Sequence, residues 1–460
     1  MTTAALRGQS KSDHTTRKPN IVLIIADQVR SDAVGAYGIN PMGLTPNIDA
    51  MARDGVLYRH MHTNQPVCSP ARASLFTGQY PCRHGVWKNT SSSIGLSPTA
   101  ATLATECRKA GYAANYIGKW HLAPGTTGAV KPANRGGFLD LWEAANALEH
   151  TSEPYHGEIY DGDGRAMSFN NEYRADFLTG RVERFLKNTS KQSPFLLVLS
   201  FLEPHQQNNL NRMVAPNGYA EQYRNPFVPE DLKFFPGDWQ EQLPDYYGSL
   251  KRVDECVGKV RETLAQEGLD KNTIVVFVSD HGCHFRTRNT EFKRSAHDAS
   301  TKVPLVITGP GFPVGYEVRE FVSIVDLMPT LLDAAGISIP EGVQGHSTLP
   351  LFSNEHAPWN NEVFIQLSEF WIGRALKTPD WTYAAVAPRD RNKFQPQPNA
   401  PVYFGFQLYN NRADPHQLVN LAGRRETSAV EQELGRRLQL RMKEAGDSAA
   451  ELLPSSFPYT

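Results

Sequence analysis

Polar residues capable of acid–base, nucleophilic or metal-binding chemistry follow four apolar runs of this sequence. The runs end in Asp27-Gln28, in Gly118-Lys119-Trp120-His121, in Glu203-Pro204-His205 and in Asp280-His281-Gly282. Continuous apolar runs are typical of parallel strands that are buried on both faces. Ligands of open α/β sheets bind beyond the carboxyl ends of such strands. The sequence therefore predicts one site in which carboxylates, an amide, a lysine and histidines meet.

A cysteine at the predicted start of a helix adds a nucleophile to this inventory. Cys68 is followed by Pro70 and Arg72, and Gly78 closes the segment, which favours a short helix that begins at Cys68. A helix N-terminus offers free backbone N–H groups and partial positive charge, and Arg72 lies one turn further on. We therefore expect an oxyanion to bind beside Cys68.

The other cysteines lack such surroundings. The chain has 5 cysteines and no CxxC spacing, which argues against a disulfide framework and against a thiolate zinc site. We interpret the remaining four as free, buried thiols: Cys82, Cys107, Cys256 and Cys283.

Two of the predicted strand ends carry residues suited to a divalent cation. Asp27, Gln28, Asp280 and His281 offer two carboxylates, an amide oxygen and an imidazole. Hard cations prefer oxygen ligands, which favours calcium, whereas the nitrogen ligand leaves manganese or another transition metal open. A structural role for each residue, as a helix cap or a turn histidine, is the alternative if each is considered alone.

The elements that must position these residues alternate along the chain. Apolar runs predict strands over residues 21–26, 112–117, 195–202 and 273–279, and helical patterns cover residues 102–110 and 245–266. Such alternation predicts an α/β fold with a large, mainly parallel sheet flanked by helices. Residues 123–173 and 206–239 are rich in Gly, Pro, Asn and aromatics, and we expect them to form excursions over the sheet edge or the site.

The pattern changes near residue 361. Short alternating segments at 363–367, 381–386 and 402–409 precede a helical pattern at 428–445. They predict a small antiparallel sheet with one helix. We therefore divide the chain into a polar tail (1–18), an α/β catalytic domain (19–360) and a C-terminal subdomain (361–460).

Composition excludes several classes of function. The 460 residues contain 47 Lys plus Arg and 48 Asp plus Glu, so the net charge of -1 supplies no global field for nucleic acid or an anionic membrane. The apolar runs fall far short of the roughly 20 residues that span a bilayer. Residues 1–18 lack an apolar signal segment, so we expect a cytoplasmic protein with no membrane or nucleic-acid partner.

The motifs together resemble a known family. Cys68-x-Pro70-x-Arg72 with residues 73–78 resembles the signature of type I sulfatases of the alkaline phosphatase superfamily, in which the cysteine is oxidised to Cα-formylglycine. A second sulfatase signature matches at residues 111–112 and 117–121. Further matches follow in order at residues 27–28, 45–49, 279–282, 293–305, 408–409, 414–415 and 420–421.

The resemblance is strongest to bacterial carbohydrate sulfatases. It implies an alkaline-phosphatase-like fold, hydrolysis of a sulfated carbohydrate or oligosaccharide, and a formylglycine-generating maturation enzyme as a partner. It also implies a metal shell, usually occupied by calcium, of Asp27, Gln28, Asp280, His281 and the modified Cys68. Many sulfatases carry Asp and Asn at the positions of Gln28 and His281, so this shell has one carboxylate fewer.

The resemblance further implies catalytic roles. His121 matches the base that assists the hydrated aldehyde, and Arg72 matches the residue that holds it. Lys119 and Lys293 match groups that bind sulfate oxygens, and His205 matches the general acid for the leaving group.

Five more residues are candidates for substrate binding. Asn89 lies where related enzymes often place a substrate-facing amide. His284, Arg286, Arg288 and His297 form either a solvated loop face or a pocket for a second anionic or hydroxyl-rich group, because Arg binds carboxylate or sulfate at two points.

Two rival functions remain open from the sequence. The first is hydrolysis of a phosphonate monoester or phosphodiester, since the Asp27-Gln28 and Asp280-His281 pairs also resemble that branch of the superfamily. The second is an anion-binding relative in which Cys68 stays unmodified.

Overall fold

The structure is a computed structural model that describes residues 17–353, 357–389 and 394–455. Most of the predicted polar tail, residues 1–16, lies outside this part. The larger sheet consists of β1 Asn20–Ala26, β2 Val56–His62, β3 Ala113–Lys119, β4 Leu141–Ala145, β5 Ser152–Glu153, β6 His156–Tyr160, β7 Ala166–Asn170, β8 Phe195–Ser200, β9 Thr273–Ser279, β10 Leu305–Thr308 and β11 Tyr316–Ser323. The smaller sheet consists of β12 Val363–Leu367, β13 Gly373–Lys377, β14 Trp381–Val386, β15 Val402–Asn410 and β16 Glu451–Leu453.

The described helices are α1 Pro46–Asp54, α2 Cys68–Thr77, α3 Pro81–His84, α4 Leu103–Lys109, α5 Leu148–Thr151, α6 Arg174–Asn188, α7 Glu230–Lys233, α8 Trp239–Gln266, α9 Asp298–Thr301, α10 Leu327–Ala334, α11 Pro350–Ser353 and α12 Ser428–Glu444. None of the helices in the described ranges has both the length and the apolar character needed to cross a membrane.

The larger sheet has the order β11-β2-β10-β9-β1-β8-β3-β4-β6-β5, and β7 pairs with β6. It is mainly parallel, and β10 and β6 run antiparallel to their neighbours. The four strands predicted to carry the site are adjacent, in the order β9, β1, β8, β3. Ala26 pairs with Ser279, and Gly118 pairs with Ser200, so these strands end at the same edge.

Helices cover both faces of this sheet because its central strands are apolar throughout. In β1, Val22 and Ile24 pack into one core cluster, whereas Ile21, Leu23 and Ile25 pack into the other. All are fully buried. Burial on both faces explains why the run is continuous rather than alternating.

The segment predicted as an excursion over residues 123–173 has more structure than expected. It contains β4 to β7, which extend the larger sheet at one edge. These strands are short, and β6 and β7 are mostly exposed. Their sequences therefore lack the apolar runs that identify the central strands.

The smaller sheet has the order β12-β13-β14-β15-β16. Strands β12 to β15 are antiparallel, as predicted, whereas β16 runs parallel to β15. The sequence did not suggest β13, because Arg374 and Lys377 make it look polar. Both side chains are fully buried, and they form ion pairs with Asp447 and Asp298.

Candidate active site

Cys68 lies at the centre of the convergent strand ends. It is the first residue of α2 and is 1% exposed. Its Sγ lies 3.0 Å from Lys293 Nζ, 3.3 Å from His281 Nε2 and 3.8 Å from both Lys119 Nζ and Asp27 Oδ1. Lysines and a histidine therefore surround an atom that the sequence singled out as a nucleophile.

The charges around Cys68 favour an anion at this position. Burial raises the pKa of the Cys68 thiol and Asp27 raises it further, but Lys119 and Lys293 outweigh both and hold this pKa well below its ordinary value. The same positive field would stabilise any negative charge that develops beside residue 68.

A group of potential metal ligands adjoins Cys68. Ligand atoms of Asp27, Cys68, Asp280 and His281 all lie within 4.8 Å of one another, and all four residues are buried. His281 Nδ1 lies 3.0 Å from the Gly282 carbonyl oxygen, which can only accept a hydrogen bond. We therefore assign the proton to Nδ1, which leaves Nε2 facing the group as metal-binding histidines require.

Gln28 completes this group. Its Nε2 donates to Gln206 Oε1 at 2.9 Å, whereas its Oε1 is buried and has no hydrogen-bond partner among the described residues. Gln28 also has a φ of +72°, which is strained for a residue other than glycine. Strain and an unpaired buried oxygen are both expected of a residue held in place as a metal ligand.

Arg72 orients the two carboxylates. Its Nε donates to Asp280 Oδ2 at 2.9 Å, and its second terminal nitrogen donates to Asp27 Oδ2 at 3.2 Å. The first terminal nitrogen donates to Ser200 Oγ at 2.7 Å and to the Lys119 carbonyl oxygen at 3.0 Å. The guanidinium thus acts on the centre through the residues that it fixes.

Lys119 depends on Gly118 for its position. A Cβ atom on Gly118, whose φ is +107°, would lie 2.0 Å from the Ser200 carbonyl oxygen, so only glycine allows β3 to approach β8 here. Lys119 Nζ donates to Asp27 Oδ2 at 2.7 Å and lies 3.1 Å from Glu149 Oε1.

His205 and Lys293 contact each other beside Cys68. Lys293 Nζ lies 3.1 Å from His205 Nε2 and 2.9 Å from His281 Nε2. Burial lowers the pKa of His205, and the Lys293 charge lowers it further, so the His205 ring is neutral at pH 7.

Comparison with known proteins agrees with this geometry. Residues 19–337 match the family model "Sulfatase". The chain belongs to the sulfatase family. Residues 290–444 of this sulfatase also match the model "N-sulphoglucosamine sulphohydrolase, C-terminal". The protein is therefore a sulfuric ester hydrolase of the alkaline phosphatase superfamily.

Among its curated relatives are two bacterial enzymes. The sulfatase is 31% identical to an ulvan-active sulfatase of Formosa agariphila, over 94% of this chain and 82% of that protein. It is 29% identical to an endo-4-O-sulfatase of Bacteroides thetaiotaomicron, over 96% of this chain and 95% of that protein.

Solved structures share its fold. One match is a structure that concerns the metabolism of multiple glycosaminoglycans by Bacteroides thetaiotaomicron. Its TM-score is 0.80 and its identity is 28%, over 94% of this chain and 97% of that one. A phosphonate monoester hydrolase of Agrobacterium radiobacter matches with a TM-score of 0.70 and 23% identity, over 93% and 96% of the two chains. At that identity the second likeness shows the fold alone.

Of the predicted substrate-binding residues, Asn89 lies beside Cys68. Its Oδ1 accepts a hydrogen bond from the Ser69 N–H at 3.2 Å. His284 contacts the backbone of the sulfatase centre rather than Cys68, because its Nε2 lies 3.0 Å from the Lys293 carbonyl oxygen. Burial lowers the pKa of His284 to about 3, so this ring is neutral.

The other three residues bind to protein groups away from Cys68. Arg286 donates to Asn211 Oδ1 at 2.6 Å and lies over the Phe292 ring. Arg288 donates to the carbonyl oxygens of Gln417 and His416 at 2.8 and 3.0 Å. His297 lies between Ser295 Oγ at 3.1 Å and the Tyr409 hydroxyl at 3.0 Å.

Sequence reasoning missed Glu149 of this sulfatase. Its Oε1 lies 3.1 Å from Lys119 Nζ and 3.6 Å from His121 Nδ1. Burial raises the pKa of Glu149, but Lys119 and His121 lower it to about 2, so the carboxylate is ionised. Glu149 lies in the one-turn helix α5, inside the segment that lacked recognisable elements, so no motif marked it.

Cys82, Cys107, Cys256 and Cys283 are free thiols, as predicted, although Cys82 is only half-buried.

Proposed function

We propose that this sulfatase hydrolyses a sulfate ester of a carbohydrate, using Cys68 after its oxidation to Cα-formylglycine and a divalent cation. The observation that carries the proposal is the convergence of Lys119, Lys293 and three further potential metal ligands, Asp27, Asp280 and His281, on one buried cysteine. The names of the two relatives, an ulvan-active sulfatase and an endo-4-O-sulfatase, support a sulfated carbohydrate as substrate.

The residues present suit a divalent cation. The unpaired Gln28 Oε1 and the carboxylates of Asp27 and Asp280 are hard oxygen donors, which favours calcium over manganese. Burial raises the pKa of Asp280, and the nearby Asp27 charge raises it further. Burial lowers the pKa of His281, but Asp280 raises it to about 9. The rise for His281 comes from the negative charge of Asp280, which a bound cation would compensate.

The nucleophile depends on a bound divalent cation and on the formylglycine made from Cys68. When bound, a divalent cation lowers the pKa of a hydroxyl group beside it. A formylglycine at residue 68 would, as its hydrate, supply hydroxyl groups at that position. The net reaction is RO–SO₃⁻ + H₂O → ROH + HSO₄⁻, and the residues of this chain place the sulfate and move the protons.

Lysines bind the sulfate, and their positions define its orientation. Lys119 Nζ and Lys293 Nζ lie 3.8 Å and 3.0 Å from Cys68 Sγ, so both can bind oxygens of a sulfate held at residue 68. His121 Nδ1 lies 3.6 Å from Glu149 Oε1, which leaves Nε2 for the role that the family resemblance implies, accepting a proton from the residue 68 hydroxyl group.

The leaving oxygen takes its proton from the side of Lys293 and His205. Because the free His205 ring is neutral, it starts as an acceptor of the Lys293 N–H. An incoming sulfate brings negative charge, which favours protonation of His205 Nε2. Lys293 thus polarises the leaving oxygen, and His205 supplies the proton.

Mass spectrometry tests the modification. After expression with a formylglycine-generating maturation enzyme, we expect the peptide that contains Cys68 to carry the aldehyde. Only unmodified thiol in protein purified from its natural host would favour the anion-binding alternative and contradict catalysis.

Parallel steady-state assays test the reaction class. We expect kcat/KM for a sulfate monoester to exceed that for a phosphodiester. The reverse preference would favour the phosphodiesterase alternative, for which the phosphonate monoester hydrolase provides a likeness of fold alone.

Thermal unfolding tests the metal site without an activity readout. Calcium added to chelator-treated enzyme should raise the Tm, because a ligand that binds only the folded state stabilises it. Gln28→Ala should reduce this increase. No change in Tm with calcium, manganese or magnesium would contradict the site.

A further inference from the structure

Two loops flank the catalytic centre and are bonded to each other. One carries Trp87 and Asn89, and the other, after β12, carries Ser368 and Glu369. Gln65 Nε2 donates to the Trp87 carbonyl oxygen and to Ser368 Oγ, each at 2.6 Å. The C-terminal subdomain therefore reaches the rim of the active site at a defined position.

Glu369 lies between two chain segments that contact Cys68 or its neighbour Ser69. One segment contains Asn89, and the other contains Lys293 and Arg294. Glu369 Oε1 accepts a hydrogen bond from the Asn89 N–H at 3.3 Å, and Asn89 in turn binds the N–H of Ser69. Its Oε2 lies 3.3 Å from Arg294 Nε, although neither of these two atoms makes a hydrogen bond among the described residues. The carboxylate thus keeps hydrogen-bonding capacity beside the centre.

Arg294 directly follows Lys293 and has a strained backbone. Its φ is +73°, a value that residues other than glycine rarely adopt outside functional sites. Its side chain is 21% exposed and contacts both Glu369 and Glu291, the latter at 3.1 Å. Two carboxylates therefore neutralise this guanidinium, which favours a hydroxyl group over a second anion as its ligand.

Trp371 lies two residues after Glu369, and the Arg389 guanidinium lies 4.9 Å over its ring. Trp371 is half-buried, and its ring lies 4.8 Å from Phe406 and 5.7 Å from Phe370. It packs against an apolar cluster that includes Ala296, three residues after Lys293. An aromatic face beside a few placed polar groups is typical of sites that bind small organic ligands.

We propose that Arg294, Glu369 and Trp371 form a subsite for the sugar ring that carries the sulfate, and that this subsite selects neutral, hydroxyl-bearing rings. The inference rests on the proposed function and deepens it. With the sulfate held beside residue 68, the ring extends over the chain neighbours of Cys68 and Lys293. Its apolar face then packs beside Trp371 and the Arg389 side chain that lies over it, and its hydroxyl groups bind the Arg294 guanidinium and the Glu369 carboxylate.

The ratio of two kcat/KM values tests this subsite. One substrate is a sulfated oligosaccharide prepared from ulvan or from a glycosaminoglycan, and the other is para-nitrophenyl sulfate, which lacks a sugar ring. We expect Glu369→Gln and Trp371→Leu each to lower the oligosaccharide-to-aryl ratio at least tenfold, mainly through KM for the oligosaccharide.

Asp380→Asn is the matched control. It removes an arginine-paired, half-exposed carboxylate of the same subdomain, bound to Arg412 rather than to the cleft. It should leave the ratio within twofold of that of the unmodified enzyme. The Tm of each variant reports folding, and Glu369→Gln decides the test if Trp371→Leu unfolds.

The possible failures are distinct. Equal losses on both substrates in Glu369→Gln would overturn the subsite, while hydrolysis of the oligosaccharide by the unmodified enzyme would still support the proposed function. Hydrolysis of para-nitrophenyl sulfate but of no oligosaccharide would overturn both.

Discussion

Two groups of basic side chains, one around Cys68 and one in the loop after β9, differ in what they face. Around Cys68, Lys293 and its neighbours direct their nitrogen atoms at one sulfur atom. In the other group, Arg286, Arg288 and His297 direct theirs at an amide, backbone carbonyl groups and hydroxyl groups of the protein. Basic side chains thus serve chemistry in one place and structure in the other.

This difference shows that a high number of basic residues in one stretch of sequence is weak evidence for an anion-binding site. At the centre, Lys119 pairs with Asp27 and Glu149 and still lies 3.8 Å from Cys68 Sγ. In the second group, the terminal nitrogens of Arg286 and Arg288 and both ring nitrogens of His297 already contact protein groups. Convergence on one atom, rather than composition, separates the two groups.

Cys68→Ala gives the largest expected effect. It removes the group from which the nucleophile is made, so kcat should fall by about 10⁴-fold or more, as loss of a catalytic nucleophile does. Released sulfate measures this loss. Cys82→Ala, at a half-buried free thiol outside the centre, should keep its activity. Turnover well above background in Cys68→Ala would contradict the mechanism.

Lys293→Ala tests whether the basic side chains that face Cys68 contribute to activity. Removing a charge aimed at the sulfate should lower kcat/KM by about 10²- to 10³-fold, the size found for the loss of one group that stabilises a transition state. Lys302→Ala, a lysine of the same segment without such a contact, should have little effect. If the two variants lose equal activity, the comparison of the two groups fails.

Glu149→Gln should lower kcat by about 10- to 100-fold with a smaller change in KM, because Lys119 and His121 lose the carboxylate that orients them. Stability should also change with pH. Folding lowers the pKa of Glu149 from 4.5 to about 2, so its ionisation stabilises the fold above pH 4.5, and this contribution disappears as the pH falls toward 2.

Urea denaturation measures that contribution. At pH 7 the free energy of unfolding should be lower in Glu149→Gln by on the order of 3 kcal/mol, and the difference should shrink toward pH 2. A difference that stays constant between pH 7 and pH 2 would show that ionisation of Glu149 does not stabilise the fold.

Arg288→Gln gives the smallest expected effect on activity. Its guanidinium binds two carbonyl oxygens and lies over the Phe235 ring, so kcat/KM should fall by less than about threefold while the Tm falls. A loss of kcat/KM above about tenfold would place Arg288 in contact with substrate and would restore the sequence-based hypothesis of a second anion pocket.

Much of the fold could be predicted because its signals are local. The strand at residues 273–279 and the three strands at 363–367, 381–386 and 402–409 agree with β9, β12, β14 and β15 to within one residue. Strand β13 could not be predicted in this way. Its charged residues are buried only because Asp447 and Asp298, 73 and 79 residues away in the chain, neutralise them.

The sequence by itself determined which chemistry is present: the apolar runs with polar ends, Cys68 at a helix start, and the family motifs. Local periodicity and capping suffice for these. Only the tertiary structure decided which groups act together, because contacts such as Lys293 with Cys68 join residues 225 positions apart. It added Glu149, Arg294 and Glu369 to the site, and it turned Arg286, Arg288 and His297 toward the protein, because packing rather than residue type sets the direction of a side chain.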